Sequence, residues 1–168
     1  MPDNMRSGKE VVVTAIPLYH IFALTVNFIS YFTVSAENWL VRNPRGFNSF
    51  IDVMKMARPT VFTGVNALFG VLVSHPRFKE INFSRLRLAV GGGSAIIEAT
   101  SVKCQAMTGK FIRESYGLSE TSPILSFNSA SVTAYSGTTG LLVPSTDIKL
   151  ITAEGLEAVI GEVGEVCA

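Results

Sequence analysis

Residues 110–121 read Lys-Phe-Ile-Arg-Glu-Ser-Tyr-Gly-Leu-Ser-Glu-Thr, and the fold is decided here. A half-apolar strand, Lys110 to Ser115, delivers a short turn, Tyr116-Gly117-Leu118-Ser119-Glu120-Thr121, that carries an aromatic ring, a glycine, two hydroxyls and a carboxylate. Such a turn can stack a base and hold a metal-bound phosphate. Upstream, the apolar run Leu86 to Val90 enters Gly91-Gly92-Gly93, and a helical stretch from Ala95 to Met107 follows. Strand, helix and strand make a βαβ unit. In a parallel sheet its right-handed crossover sets the glycine triplet and the Tyr116–Thr121 turn along the same carboxyl edge, where open α/β sheets bind ligands.

The same alternation extends toward the amino end: strand Val11 to Ala15, helix Tyr19 to Thr33, strand Asn38 to Arg42, helix Phe47 to Met56, strand Thr60 to Thr63 and helix Val65 to Ser74. Strands alternating with helices predict an α/β fold, a mostly parallel sheet with helices on both faces. Beyond Ser126 the character changes. Tyr135 to Val143 is rich in Gly, Ser and Thr, and Asp147 to Ile151 and Glu162 to Ala168 read as short strands about an Ala153-Glu154-Gly155 turn. The expected division is residues 1–130 as the α/β subdomain and 131–168 as the start of a small antiparallel, barrel-like subdomain.

The chain is 48% hydrophobic and only 16% charged, with mean hydropathy +0.37, whereas an ordinary soluble domain carries about a quarter charged residues. It reads as an interior piece, cut inside a strand at Val166-Cys167-Ala168. Net charge is +1 with lysines and arginines scattered, which gives no basic stripe for nucleic acid. Ile16 to Val34 approaches the roughly 20 residues of a membrane span, but opens with Pro17 and contains His20, Asn27 and Ser30. A buried helix is the better reading, with Pro17 at or before its first turn. Met1 to Glu10 lacks the apolar segment of a signal peptide. Two widely spaced cysteines, Cys104 and Cys167, predict free thiols in a reducing cytoplasm.

Five blocks carry a resemblance: Pro17-Leu18-Tyr19-His20-Ile21-Phe22-Ala23-Leu24, Thr63-Gly64-Val65-Asn66, Gly91-Gly92-Gly93, Tyr116-Gly117-Leu118-Ser119-Glu120, and Gly140-Leu141-Leu142-Val143-Pro144-Ser145-Thr146. In order and spacing the chain resembles the adenylate-forming enzymes, most closely the bacterial long-chain fatty acyl-CoA synthetases. The resemblance covers nearly the whole chain and only the middle of a family member, which implies a middle fragment of a larger N-terminal domain. It also implies a two-step ligase using ATP, Mg²⁺ and coenzyme A, with a long-chain fatty acid as substrate. The resemblance further implies a cytoplasmic enzyme with room for peripheral association at the inner membrane face, and no nucleic-acid partner is expected. The phosphate loop with its lysine is expected upstream of Met1, and the ribose-binding acid and mobile C-terminal domain downstream. A fragment of this kind is expected to be inactive and to self-associate.

By that resemblance Gly92, Gly93, Ser94 and Ala95 form one wall of the adenine pocket, with Ala95 standing where relatives often have proline. Glu114, Ser115, Tyr116 and Gly117 contact AMP, Tyr116 by stacking on the base. Ser115 stands where relatives often carry glycine, so its Cβ narrows the approach. Ser119, where relatives usually have threonine, contacts the α-phosphate, and Glu120 is a catalytic residue and the Mg²⁺ ligand. Taken alone, Tyr116 and Glu120 read as a strand-end aromatic and a solvated carboxylate. His20 reads equally as a satisfied core histidine or as a catalytic group positioning the acyl carboxylate. Tyr19, Phe22, Val65, Asn66, Phe69 and Ser122, with Ile21, Leu24 and Ile124, are candidates for the acyl pocket, although apolar residues at helical spacing are usually core. Ser136-Gly137-Thr138-Thr139-Gly140 mimics a phosphate loop but is followed by Leu141 rather than lysine, and reads as a structural turn. The rival readings are adenylation of another acid, aryl or amino, or transfer to an acyl carrier protein, and a non-catalytic binding module.

Overall fold

The computed structural model describes residues 5–168; Met1 to Asn4 of the polar lead lie outside the described residues. Strands β1 (Val11–Thr14), β2 (Glu37–Leu40), β3 (Val61–Gly64), β4 (Leu88–Gly91) and β5 (Ile112–Tyr116) pair in parallel in the order β2-β1-β3-β4-β5. The helices between them are a π-helix (Ala23–Ser30), α1 (Phe47–Ala57), α2 (Asn66–Ser74) and α3 (Glu98–Thr108). β1 leads outward to β2, while β3 leads to β4 on the other side. The connections leaving the carboxyl ends of β1 and β3 therefore run to opposite sides, the arrangement that opens a crevice at that edge in α/β sheets.

Side chains alternate across each strand with period two, and the β-branched runs exploit both faces. Val11, Val13, Phe62, Ala89 and Ile112 pack with Phe50, Ile51 and Met54 of α1, Phe69 and Leu72 of α2 and Cys104 of α3. On the opposite face Val12 and Val61 meet Tyr31, and Val90 meets Phe22 and Ala23. Phe50, Met54, Phe69 and Leu72 are each at most 1% exposed, and burying a side chain of that size contributes about 1.5–3 kcal/mol. α1 presents Phe50, Ile51, Met54 and Ala57 on one stripe and stops at Arg58, which adopts the left-handed conformation at φ 47°. The expected parallel sheet with helices on both faces is what forms.

The helix expected over Tyr19 to Thr33 forms over residues 21–32, with Ala23–Ser30 wound as a π-helix. Local polar groups accompany the wider turn: the Ser30 hydroxyl donates to the Thr25 carbonyl at 2.8 Å and the Thr33 hydroxyl to that of Ser30 at 2.6 Å. The Asn27 amide meets the hydroxyls of Thr14 and Thr63 at 3.0 and 2.7 Å, and Asn38 Nδ2 donates to the Asn27 carbonyl at 2.9 Å. This buried network pins the helix to β1, β2 and β3. Its outer face leaves Phe28 and Phe32 exposed by 44% and 73%. No helix among the described residues is long and apolar enough to cross a membrane.

At the amino edge Glu10 is 2% exposed. Thr60 Oγ1 donates to its Oε2 at 2.5 Å, the Arg6 amide to Oε1 at 2.9 Å, and Arg87 pairs with Oε1. Burial pushes the Glu10 carboxyl pKa up, but the Thr60 and Arg6 hydrogen bonds and the Arg87 and Arg6 charges outweigh it and hold it below the ordinary value.

The main sheet does not end at residue 130. β6 (Ser126–Phe127) pairs antiparallel with β5, and β7 (Leu141–Leu142) with β6, which makes a seven-stranded sheet. A separate two-stranded sheet follows, β8 (Lys149–Ile151) against β9 (Glu165–Cys167). Strands of two residues carry no periodic signal, so the sequence pattern does not show this pairing. Gly140 permits the return: its φ is +86°, and a Cβ there would collide with the Phe127 carbonyl.

Candidate active site

Three segments separated by as many as a hundred residues converge at the carboxyl edge. A cleft of about 260 Å³ is lined by His20, Ile21 and Phe22 after β1, by Gly93 after β4, and by Ser115 to Glu120, Pro123 and Ile124 at and beyond the end of β5. Gly93 turns the chain at φ +74°, a left-handed conformation that glycine adopts without a Cβ penalty. His20 Nδ1 accepts from the Phe22 amide at 3.2 Å. In the neutral ring Nε2 then carries the proton and is left to donate.

The turn after β5 is closed by its own atoms. Thr121 Oγ1 accepts from the Leu118 amide at 3.1 Å and donates to the Leu118 carbonyl at 3.0 Å. Residues Ser119–Thr121 form one 3₁₀ turn that presents Ser119 and Glu120 to solvent at the cleft. Gly117 is required sterically, since a Cβ there would overlap the Pro123 carbonyl. The Ser115 hydroxyl donates to the Gly91 carbonyl at 3.1 Å, and a Cβ on Gly92 would lie 2.7 Å from that Oγ. Ser115 thus locks the glycine segment against β5.

Glu114 lies below this surface. It is 6% exposed, its Oε1 accepts from the Ile96 amide at 3.3 Å, and burial pushes its carboxyl pKa up, the amide only partly offsetting this. Ser94 and Ala95 are exposed beside Gly93 and do not line the cleft.

The acyl-pocket candidates are brought together in part. Of the nine, Ile21, Phe22 and Ile124 line the cleft. Phe69 belongs to the main core, edge-to-face on Phe62 with centroids 5.2 Å apart. Tyr19 is 91% exposed. Asn66 Oδ1 accepts from the Ile97 amide at 3.0 Å and thereby caps α3. Val65 approaches Gly93, and Ser122 is exposed in a left-handed conformation at φ 54°. Of these, Phe69 is the one that packs into the main core.

Two polar groups of Ser136 to Gly140 are tied to β6 and its end: Thr139 Oγ1 accepts from Ser126 Oγ at 2.9 Å and the Thr138 carbonyl from Asn128 Nδ2 at 2.9 Å. A second cleft of about 190 Å³, toward the amino end of β4 and β5, is lined by Arg87, Lys110 and Arg113 among others. Arg113 is committed to the Asn128 and Ser129 carbonyls and Arg87 to Glu10, so this cleft offers no comparable chemistry. Sequence reasoning counted Thr121 among the hydroxyls of the turn but gave it no role, and it assigned none to Ile96 or Tyr135. Thr121 alone carried a signal, a hydroxyl three residues after Leu118, where it can reach back to an exposed amide.

Residues 1–168 match the model of the family described as AMP-binding enzyme. The long-chain-fatty-acid–CoA ligase of Yersinia pestis is 41% identical over 161 residues, which is 96% of this chain and 29% of that protein. The ligase of the same name from Haemophilus influenzae is 42% identical over 163 residues, 97% of this chain and again 29% of the relative. The chain thus spans under a third of these relatives' length. Among solved structures, an anthranilate CoA ligase in complex with anthranoyl-AMP superimposes with a TM-score of 0.88 at 22% identity, over 96% of this chain and 31% of that one.

Proposed function

Because this chain belongs to the AMP-binding enzyme family, we propose that the protein carrying it is a long-chain fatty acid–CoA ligase. A carboxylate oxygen attacks the α-phosphorus of ATP and pyrophosphate leaves. The thiolate of coenzyme A then attacks the acyl carbon of the adenylate and AMP leaves. The observation that carries the reading is the single cleft shared by His20, Gly93, Tyr116, Ser119 and Glu120, and the identity of about 40% to long-chain ligases supports the substrate.

In this reading Tyr116 stacks on adenine opposite the Gly92–Ala95 segment, with Glu114, Ser115 and Gly117 forming the floor of that pocket. Ser119 donates to the α-phosphate, and His20 Nε2–H orients the acyl carboxylate. No group of three or more His, Cys, Asp or Glu among the described residues could hold a metal ion. A Mg²⁺ carried by nucleotide phosphates needs only one or two protein carboxylates, and Glu120 at the cleft fits that requirement. The ion would neutralise phosphate charge. Such chemistry depends mainly on positioning and charge stabilisation. The proposal sets the protein in the cytoplasm, with peripheral contact to the membrane that holds its substrate. Its two thiols, Cys104 buried and Cys167 exposed, are unpaired, which suits a reducing compartment.

The test is to supply the intact protein with carboxylic acids of graded chain length and to measure pyrophosphate release and thioester formation. Long-chain acids should be preferred, and Glu120→Ala should cut adenylation by roughly 10²–10³ without loss of folding. Activity confined to aryl or amino acids would replace the substrate. Near-normal adenylation by Glu120→Ala would overturn the site.

A further inference from the structure

Two buried side-chain oxygens lack a hydrogen-bond partner among the described residues, Oε2 of Glu114 and Oδ1 of Asn128. They are neighbours in the sheet. β5 and β6 pair Ser115 with Phe127, and one step further along that register the Asn128 amide donates to the Glu114 carbonyl at 3.1 Å. Directly opposed residues of an antiparallel pair project from the same face, with Cβ atoms about 5 Å apart. Both residues are deeply buried, Glu114 at 6% and Asn128 at 1% exposed.

The orientation of Asn128 is fixed. Its Nδ2 donates to the Thr138 carbonyl at 2.9 Å, and turning the amide over would set Oδ1 against that carbonyl oxygen. Two acceptors thus lie unpartnered on opposed residues of one sheet face, and buried acceptors are seldom left so. Among the described residues no cation is paired with either oxygen. Arg113 is spent on the carbonyls of Asn128 and Ser129. The titratable group coupled to Glu114 from the packed elements is Tyr135, from the segment after β6, which also feels Glu98 of α3. The missing donor is a proton.

We propose that Glu114 is a positioning residue that works as a neutral carboxylic acid: Oε1 accepts from the Ile96 amide, and Oε2–H is donated to Asn128 Oδ1, directly or through one buried water. This tether joins four pieces, namely the glycine segment through Ile96, β5, β6, and the Thr138 loop through Asn128. Ile96 transmits it, because the Ile96 side chain fills the space where a Cβ on Gly91 would lie, 2.5 Å from Cδ1, and its carbonyl accepts from Tyr135 Oη at 3.0 Å. The wall that carries Gly93 is thereby held in place. Relevance to nucleotide binding rests on the ligase reading, but the tether does not.

The experiment compares the intact protein with Glu114→Gln and Glu114→Ala by urea unfolding across a pH series, with hydrogen exchange at the Ile96 amide. Burial raises the folded pKa of Glu114, so the folded state holds this proton after the unfolded state has released it. Stability must then fall as pH rises above the unfolded value, about 4.3, and level off above the folded one. Glutamine keeps an acceptor and a donor and never ionises. The folding constant of the wild type relative to Glu114→Gln should drop by up to about tenfold per pH unit within that window. Glu114→Gln should keep Ile96 protection, whereas Glu114→Ala should lose roughly tenfold. Parallel pH curves for wild type and Glu114→Gln, or equal loss of Ile96 protection in both variants, would overturn the proposal. If Glu114→Ala does not fold, the Glu114→Gln curve decides alone. Neither readout uses a nucleotide, so a failure of the ligase reading would leave both unchanged.

Discussion

Replacing Gly117 by alanine tests the geometry of the turn most directly. The added Cβ would overlap the Pro123 carbonyl and lie 2.9 Å from the Ile124 Cα. Both obstacles are backbone, so no rotamer change relieves them, and the segment from Leu118 to Pro123 must move off the end of β5. Overpacking that side chains can absorb costs about 1–3 kcal/mol. With backbone as the obstacle, a cost of about 3–5 kcal/mol is expected, in the upper tail of single substitutions. For a chain of this size that is a fall of roughly 6–20 °C in Tm. Two other glycines serve as controls. At Gly109, φ is +75° and nothing lies within 4 Å, so alanine pays only the left-handed conformation, about 1 kcal/mol. At Gly92 the new Cβ meets a hydroxyl that can rotate, Ser115 Oγ at 2.7 Å, with an intermediate cost of about 1–2 kcal/mol. Urea midpoints for the three variants at constant m-value measure the order. If Gly117→Ala proves no more destabilising than Gly109→Ala, the close approach of Pro123 to β5 is wrong.

Tyr116→Ala should weaken AMP binding about tenfold or more, since base stacking on an aromatic ring is worth roughly 1–3 kcal/mol, while Tyr116→Phe retains it; equal affinities by calorimetry would remove Tyr116 from the base. The stability that Glu10 contributes should be in place above the ordinary glutamate pKa and vanish as pH falls through its lowered folded value; Glu10→Gln should flatten that acid limb of the Tm profile, and an unchanged limb would refute the assignment. The isolated 168-residue chain should sediment as more than a monomer at micromolar concentration, because Phe28, Ile29 and Phe32 stand 44%, 50% and 73% exposed on one helix, and a clean monomer would show that this face tolerates water.

The parallel half of the fold was legible because its signals are long. Val11-Val12-Val13-Thr14 can only be a strand buried on both faces, and Phe50, Ile51, Met54 and Ala57 form a helical stripe; their elements form within a residue or two of expectation. The glycine segment and the Tyr116 turn were legible for a second reason: a strand's carboxyl end fixes where its following turn lies, whatever the side chains. What escaped is set by tertiary partners. The π winding accompanies contacts of Asn27 with Thr14, Thr63 and Asn38 that no local pattern contains. Phe69 has the same spacing whether it faces a tunnel or Phe62, and only packing decides. Nothing local marks Glu114, between Arg113 and Ser115, as buried; the pairing of β5 with β6 sets it opposite Asn128.

That pairing also bears on where the chain can be cut and recombined. A module swapped at residue 130 would separate β6 from β7, exchange one partner of the Ser126–Thr139 hydrogen bond for a stranger's, and leave the Phe127 edge without its ladder. A junction between Pro144 and Asp147, after β7 and before β8, crosses no strand pairing of either sheet. Chimeras spliced there would carry the Gly140 return intact, and grafting a new trailing sheet onto this scaffold becomes a question of linker length rather than of repairing a broken one.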